Sequence, residues 1–313
     1  MKNRINQDFI YTEEWANVET VRLAKNSLYV HAHDPEDRSL YCAKTLCIVN
    51  PDTLFVEVAD SEDDIMMVAD SEESFPLNSA KSINAFYDQF KRDIVYIEVT
   101  GMSCRMATPL MNHAIKRGKT VYVVYTEPAS YCLNEFRKIG LNKDLAEQVN
   151  GVSPLPGMVN LTPDDNPKHF VVLLGFEGGR FSALVQDYNP VKEKIVPVVG
   201  VPGYRIDYPY FSYWGNNVQL LRTGCWQKMK YAEANSIVDA YLMLKQIASD
   251  SHSEHMVVAP IGTKPHAIGA ILYALKHPDK VELLYDNPKR NVHRTQGIGK
   301  VLVCNVSKLF NEN

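Results

Sequence analysis

The stretch VVAPIGTKPHAIGAILYAL (257–275) opens with a short apolar run, breaks on Gly262-Thr263-Lys264-Pro265, and resumes with helical spacing. A short apolar run bounded by Gly and Pro reads as a buried strand, and Pro265 suits the first turn of a helix. A strand that turns this sharply into a helix is half of a βα unit. The turn also presents backbone N–H groups, and the positive end of the helix dipole, to an anion beyond the strand.

The same alternation extends outward along the chain. SAKSINAFYDQFKR (79–92) has helical spacing, IVYIEV (94–99) reads as a strand covered on both faces, and SCRMATPLMNHAIKRG (103–118) reads as a helix ending on Gly118. TVYVVY (120–125), HFVVLLGF (169–176), IVPVVG (195–200), VELLY (281–285) and KVLVCNV (300–306) read as further strands. GGRFSALVQDY (178–188) and EANSIVDAYLMLKQIA (233–248) read as helices between them. Apolar strands alternating with helices predict a doubly wound α/β class, with a mostly parallel, Rossmann-like sheet covered by helices on both faces.

The first part of the chain differs. SLYVHAHD (27–34), TLCIVN (45–50) and TLFVEV (53–58) read as strands, because β-branched and aromatic residues alternate with polar ones. EVADSEDDIMMVADSEES (57–74) follows, with VADSE occurring twice, ten residues apart, and reads as a solvated acidic loop or helix face. The expected organisation is a smaller β-containing acidic region over 1–77 and an α/β domain over 78–313, with an insert at 126–168. VPGYRIDYPYFSYWGNN (201–217) reads as an aromatic-rich loop, either stacking on a base or covering the end of the sheet.

Composition excludes several classes. At 313 residues, 45% apolar and 22% charged, the chain is an ordinary globular protein. A net charge of −4 carries no basic footprint for duplex nucleic acid. No apolar run is long enough to cross a bilayer, so no membrane partner is expected. The N-terminal MKNRINQDFIYTEEW lacks the apolar core of a signal peptide, and the six cysteines form no C-x-x-C pair. A reducing cytoplasm is the expected location. His31-Ala32-His33-Asp34 and His252-Ser253-Glu254-His255 have ligand spacings but complete no set, so no metal is expected.

In open α/β sheets ligands sit outside the carboxyl ends of the strands, near a reversal of strand order. The residues just past each strand are therefore the candidates. Thr100, Gly101, Ser103 and Arg105 follow 94–99, and Glu127 follows 120–125. Glu177, Gly178, Gly179 and Arg180 follow 169–174; Gly262, Thr263, Lys264 and His266 follow 256–260; Asp286 and Arg290 follow 281–285. Cations gathered on one sheet edge are costly to bury unless an anion offsets them, so a phosphate-bearing, nucleotide-type small molecule is the expected ligand. There is no G-x-x-x-x-G-K-[ST] loop and no G-x-G-x-x-G fingerprint, and no cofactor is expected. Glu177, Asp286 and Glu127 are the carboxylates able to act as nucleophile or base, or to grip a ribose hydroxyl, and the residues leave those roles open.

YIEVTGMSCRM (96–106) resembles the strand-end signature of CRISPR-associated Rossmann-fold (CARF) ligand sensors, with Glu98, Thr100, Gly101, Arg105 and Met106 in the matching places. It carries Glu where the signature has Asp or Asn, and its turn is about one residue longer. The resemblance implies a homodimer that binds a nucleotide-derived signal, such as a cyclic oligonucleotide, in a prokaryotic antiviral defence system. Three functions stay open: a sensor that leaves its ligand intact, an enzyme that cleaves or transfers a nucleotide or its glycosidic bond, and an adaptor subunit that meets a protein partner through 57–74 and 201–217.

Overall fold

The computed structural model describes residues 12–32, 37–60, 64–69, 71–131, 146–149, 151–158, 169–250, 255–290 and 294–311. In chain order the elements begin with β1 (Thr12–Trp15), β2 (Leu28–Ala32), α1 (Asp37–Val49), β3 (Leu54–Asp60), β4 (Ile65–Val68) and β5 (Ser74–Pro76). Then come α2 (Ala80–Phe90), β6 (Ile94–Glu98), α3 (Cys104–Lys116), β7 (Thr120–Tyr131) and β8 (Ala146–Val149). They continue with β9 (His169–Leu174), α4 (Gly178–Tyr188), β10 (Ile195–Gly200), α5 (Tyr208–Thr223), β11 (Lys230–Ala232) and α6 (Ile237–Asp250). The last are β12 (Met256–Pro260), α7 (Lys264–Lys276), β13 (Val281–Leu283), β14 (Pro288–Arg290) and β15 (Thr295–Asn305).

The chain is a mixed α/β, Rossmann-like protein of two compact units: Met1–Ala129 with Gly297–Asn313, and Ser130–Gln296. In the first, the eight strands run in the order β1-β15-β7-β6-β2-β3-β4-β5. β3, β2, β6 and β7 are mutually parallel, and Val30 lies between Val56 and Ile97 in the register. β4 and β5 add antiparallel strands beyond β3, which is the smaller antiparallel region of the N-terminal part. Because β3 lies on one side of β2 and β6 on the other, the order reverses between β2 and β6.

The second unit has five parallel strands in the order β11-β10-β9-β12-β13. This is the Rossmann order, with its reversal between β9 and β12. The central strands are continuous apolar runs because helices cover both of their faces. Phe170, Val172 and Leu174 pack with Phe181, Leu184, Leu220 and Ile261 in one core, and Val171 and Leu173 are equally buried on the opposite face. α7 is buried from Pro265 to Ala274, which explains why its sequence is apolar nearly all round.

Three local expectations change. TLCIVN (45–50) belongs to α1 rather than to a strand, with Cys42, Ala43 and Leu46 packed against Tyr29 and Tyr96. The β-branched residues there favour a strand locally, and burial of one helical face overrides that preference. The acidic 57–74 stretch carries the end of β3, all of β4 and the first residue of β5, so its apolar positions are strand faces; Val58 and Met66 are buried. The aromatic stretch 201–217 is a loop only as far as Asp207, after which α5 begins with Pro209 in its first turn. Much of the expected insert lies outside the described residues, and its first part is a continuation of β7 to Tyr131.

The chain divides elsewhere than after residue 77. β2 and β3 are central neighbours of β6 and β7, and the later strands β9–β13 form a separate sheet. A periodic βα pattern is identical whether it builds one sheet or two, since pairing partners are chosen by contacts far apart in sequence.

Candidate functional site

In the first unit the reversal point is the carboxyl end of β6 beside that of β2. Glu98, the last residue of β6, is fully buried. Its Oε1 accepts the Thr100 N–H at 2.8 Å, and its Oε2 lies 3.3 Å from the Gly101 N–H and 3.3 Å from the Ser39 hydroxyl. Thr100 Oγ1 in turn accepts the Thr126 N–H at 2.9 Å, which ties the turn to β7. The turn 98–101 is thus braced by a side chain of its own strand. Burial raises the Glu98 carboxyl above its ordinary value, although hydrogen bonds from Thr100 and Gly101 and the charge of Arg38 oppose that.

Arg38, in the first turn of α1, donates to the Thr126 carbonyl at 2.6 Å and lies over the Tyr125 ring. Burial, and then the nearby Glu98, push the Cys42 thiol up to about 12, so it stays protonated and inert. The turn ends at Ser103, whose hydroxyl caps α3 by accepting the Met106 N–H at 3.1 Å. Arg105 follows on the first turn and grips Asp64 with two groups, Nε to Oδ1 at 2.6 Å and Nη2 to Oδ2. That fork holds the Asp64 carboxyl below its ordinary value. Asp64 stands just before β4 with a φ of 57°, in the left-handed region.

In the second unit Gly175 follows β9 and Gly262 follows β12, where the two backbone segments nearly touch. A Cβ on Gly175 would lie 2.8 Å from the Ile261 carbonyl oxygen, and one on Gly262 would lie 2.8 Å from that of Leu174. A Cβ on Gly178 would lie 1.7 Å from the Gly215 carbonyl oxygen, so α4 meets α5 backbone to backbone there. Gly179 sits beside it in the first turn of α4. These glycines serve close packing at the reversal point.

Two arginines at the strand ends of this unit, Arg180 and Arg205, have carboxylate partners of their own chain. Arg180 binds Asp286 through Nε and Nη2, both at 2.6 Å, and reaches Glu177 at 3.1 Å and the Ile261 carbonyl at 2.9 Å. Burial alone would lower the Arg180 pKa, but Asp286 and then Glu177 hold it above the ordinary range. Arg205 pairs with Asp207 at 3.1 Å. Thr263 caps α7 by accepting the His266 N–H at 3.4 Å and donates its hydroxyl to the Ala234 carbonyl at 2.6 Å, and Lys264 opens the helix half-buried. His266 is fully buried, with Nε2 2.9 Å from the Glu233 carbonyl oxygen, so that nitrogen carries the proton. Burial pushes its pKa down, leaving it neutral.

The expected gathering of cations on one sheet edge is therefore split between two sheets. Arg105 belongs to the first, and Arg180, Arg205 and Lys264 to the second. The anions that offset the three arginines are carboxylates of the same chain. Sequence spacing could not reveal this, because Asp64 and Asp286 lie 41 and 106 residues from their partners. Glu127, expected just past a strand, lies inside β7, packed against Gly299. Arg290 lies on β14, with its side chain outside the described residues.

Sequence reasoning passed over Arg38 and Ser39. The strand-end rule applied to β2 finds both, since they open the helix that follows it. Of the histidine pairs, His31 lies buried on β2 and His255 just before β12, while His33, Asp34, His252 and Glu254 lie outside the described residues. Among the described residues, no group of three His, Cys, Asp or Glu side chains is placed to hold a metal ion, and no helix is long and apolar enough to cross a membrane.

No family model and no curated protein matches the sequence. Among solved structures, the chain is similar to a periplasmic ribose ABC transporter from Conexibacter woesei DSM 14684, at 12% identity over 81% of this chain and 69% of that one, with a TM-score of 0.23. It is also similar to CobK precorrin-6A reductase, at 12% identity over 86% of this chain and 90% of that one, with a TM-score of 0.25.

Proposed function

We propose that the chain binds a phosphate-bearing, nucleotide-type ligand at the carboxyl end of the first unit's sheet, as a sensor that leaves the ligand intact. One observation carries this reading: Glu98 braces the Thr100–Gly101 turn at the β2/β6 reversal, and that turn leads into the capped start of α3 with Arg105 on its first turn. A helix start beside a reversal point suits phosphate oxygens. The resemblance of 96–106 to CARF sensors points the same way, toward a cyclic oligonucleotide and a role in defence.

The Arg105–Asp64 pair supplies the signalling step in this proposal. A phosphate that takes the Arg105 fork releases Asp64, and with it the turn leading into β4. Binding is favoured over catalysis because two of the three candidate carboxylates, Glu177 and Asp286, are committed to Arg180, and the third, Glu127, lies inside β7 rather than past its end.

The test is native mass spectrometry of the full chain with mono- and triphosphates, NAD and cyclic di- to hexanucleotides. The expected result is an intact adduct that Arg105→Ala loses and Lys264→Ala retains. The opposite pattern moves the site to the second unit, conversion of the nucleotide to fragments makes the chain an enzyme, and no adduct with any nucleotide overturns the proposal.

A further inference from the structure

The outward face of α5 carries large apolar side chains in water. Tyr210 is 60% exposed, Trp214 45%, Val218 66% and Leu221 70%. Their spacing of four, four and three residues draws one stripe along the helix, about 17 Å long at 1.5 Å per residue. Only Asn217 and Arg222 are polar among the exposed residues of α5, and no charged side chain occurs from Tyr208 to Leu221. Ile206, fully exposed two residues before the helix, and Trp226, half-exposed three residues after it, are further apolar side chains left in water beside its two ends. The inward face is already satisfied: Tyr208, Ser212, Asn216, Gln219 and Leu220 are buried, and Asn216 donates to the Gly175 carbonyl at 2.8 Å.

Taking a full aromatic side chain as roughly 150–250 Å² and the aliphatic ones as smaller, these six side chains expose on the order of 600 Å². That exceeds the few hundred Å² usual for a monomer and approaches the roughly 800 Å² that each partner contributes to a standard interface. Tyr and Trp are also the residues that most often anchor such interfaces, and Tyr210 and Trp214 are already stacked, with ring centroids 6.1 Å apart.

We infer that α5 is a self-docking surface through which two copies of this chain pair about a two-fold axis. A two-fold contact sets a patch against itself, so any charge on it meets its own kind. The α5 stripe has no charge to repel. An antiparallel crossing centred between Trp214 and Val218 sets Tyr210 of one copy near Leu221 of the other, and the central pair against each other. The inference stands apart from the nucleotide reading, since it uses an element of the other unit and needs no ligand.

The experiment is sedimentation equilibrium of the full chain without nucleotide, at micromolar concentrations, for the wild type, Trp214→Glu and Val218→Glu. A dimer is expected for the wild type. Each variant should weaken it by roughly a hundredfold or more, the loss associated with a central anchor. Both substitutions are at exposed positions, and unchanged far-ultraviolet circular dichroism and thermal midpoint would show that the fold is kept. A wild type that is monomeric throughout, or a dimer that both variants leave intact, overturns the inference.

Discussion

Arg180 and Asp286, 106 residues apart in sequence, close a two-pronged ion pair with both nitrogen–oxygen distances at 2.6 Å and only 9% and 2% of their side chains exposed. Removing one partner strands the other charge away from water. Asp286→Asn is therefore expected to cost about 3–5 kcal/mol in urea unfolding. Replacing both residues by apolar ones of similar size should cost less than the single change. A loss below 1 kcal/mol for Asp286→Asn would show that the pair is open to solvent.

Gly178 separates close packing from backbone freedom. An added Cβ meets the Gly215 carbonyl, and nothing side-chain-like is there to yield, so Gly178→Ala should destabilise by about 2–3 kcal/mol or more. Gly118 is the comparison: its φ is +71° and its surroundings are open, so Gly118→Ala should lose only the left-handed penalty of about 1–2 kcal/mol. Equal losses in chemical denaturation would mean that α4 and α5 part easily.

Glu98 makes stability depend on pH in the direction opposite to an ion-paired carboxylate. Its folded pKa is raised above the ordinary 4.5 by burial, so its contribution is fully present below 4.5 and is lost as pH rises through the folded value. Glu98→Gln carries no such dependence. The difference in unfolding free energy should therefore shift in favour of the variant as pH rises from 4.5. A difference independent of pH would show that Glu98 titrates normally.

His266 acts at a higher pH. Burial lowers its folded pKa below the ordinary 6.5, and the Glu233 carbonyl and Asp239 only partly oppose this. Its contribution is intact above 6.5 and is lost as pH falls from 6.5 toward the folded value, because the unfolded chain takes up the proton first. His113, His169 and His277 are shifted the same way by burial, so acid sensitivity is shared. His266→Gln should flatten the fall of the thermal midpoint below pH 6.5, and an unchanged slope would assign the effect to the other three.

The candidate sites were legible in position and not in state. The alternation of strands and helices put Arg105, Arg180 and Lys264 at strand-to-helix turns, and they lie in the first turns of α3, α4 and α7. It could not show that Arg180 is consumed by Asp286 and Glu177, or that Arg105 is held by Asp64. An ion pair between distant segments leaves no periodic trace. Nor does a loop-like aromatic stretch declare itself a helix: Tyr, Phe and Trp are middling helix formers, and α5 exists because Tyr208, Ser212, Asn216 and Leu220 find a surface to cover.

The sequence by itself determined the α/β class, most strands and helices, the capped turns at Ser103 and Thr263, and the apolar strands that must be covered on both faces. Those features follow from chemistry within a few residues: side-chain periodicity, caps, and the backbone limits of Gly and Pro. Only the tertiary structure decided that the parallel strands divide between two sheets and that reversal points fall at β2/β6 and β9/β12. It also decided which carboxylate neutralises which arginine, and that one face of α5 is left in water. Strand partners, buried ion pairs and uncovered faces depend on segments tens to hundreds of residues apart, and no local pattern encodes which of them meet.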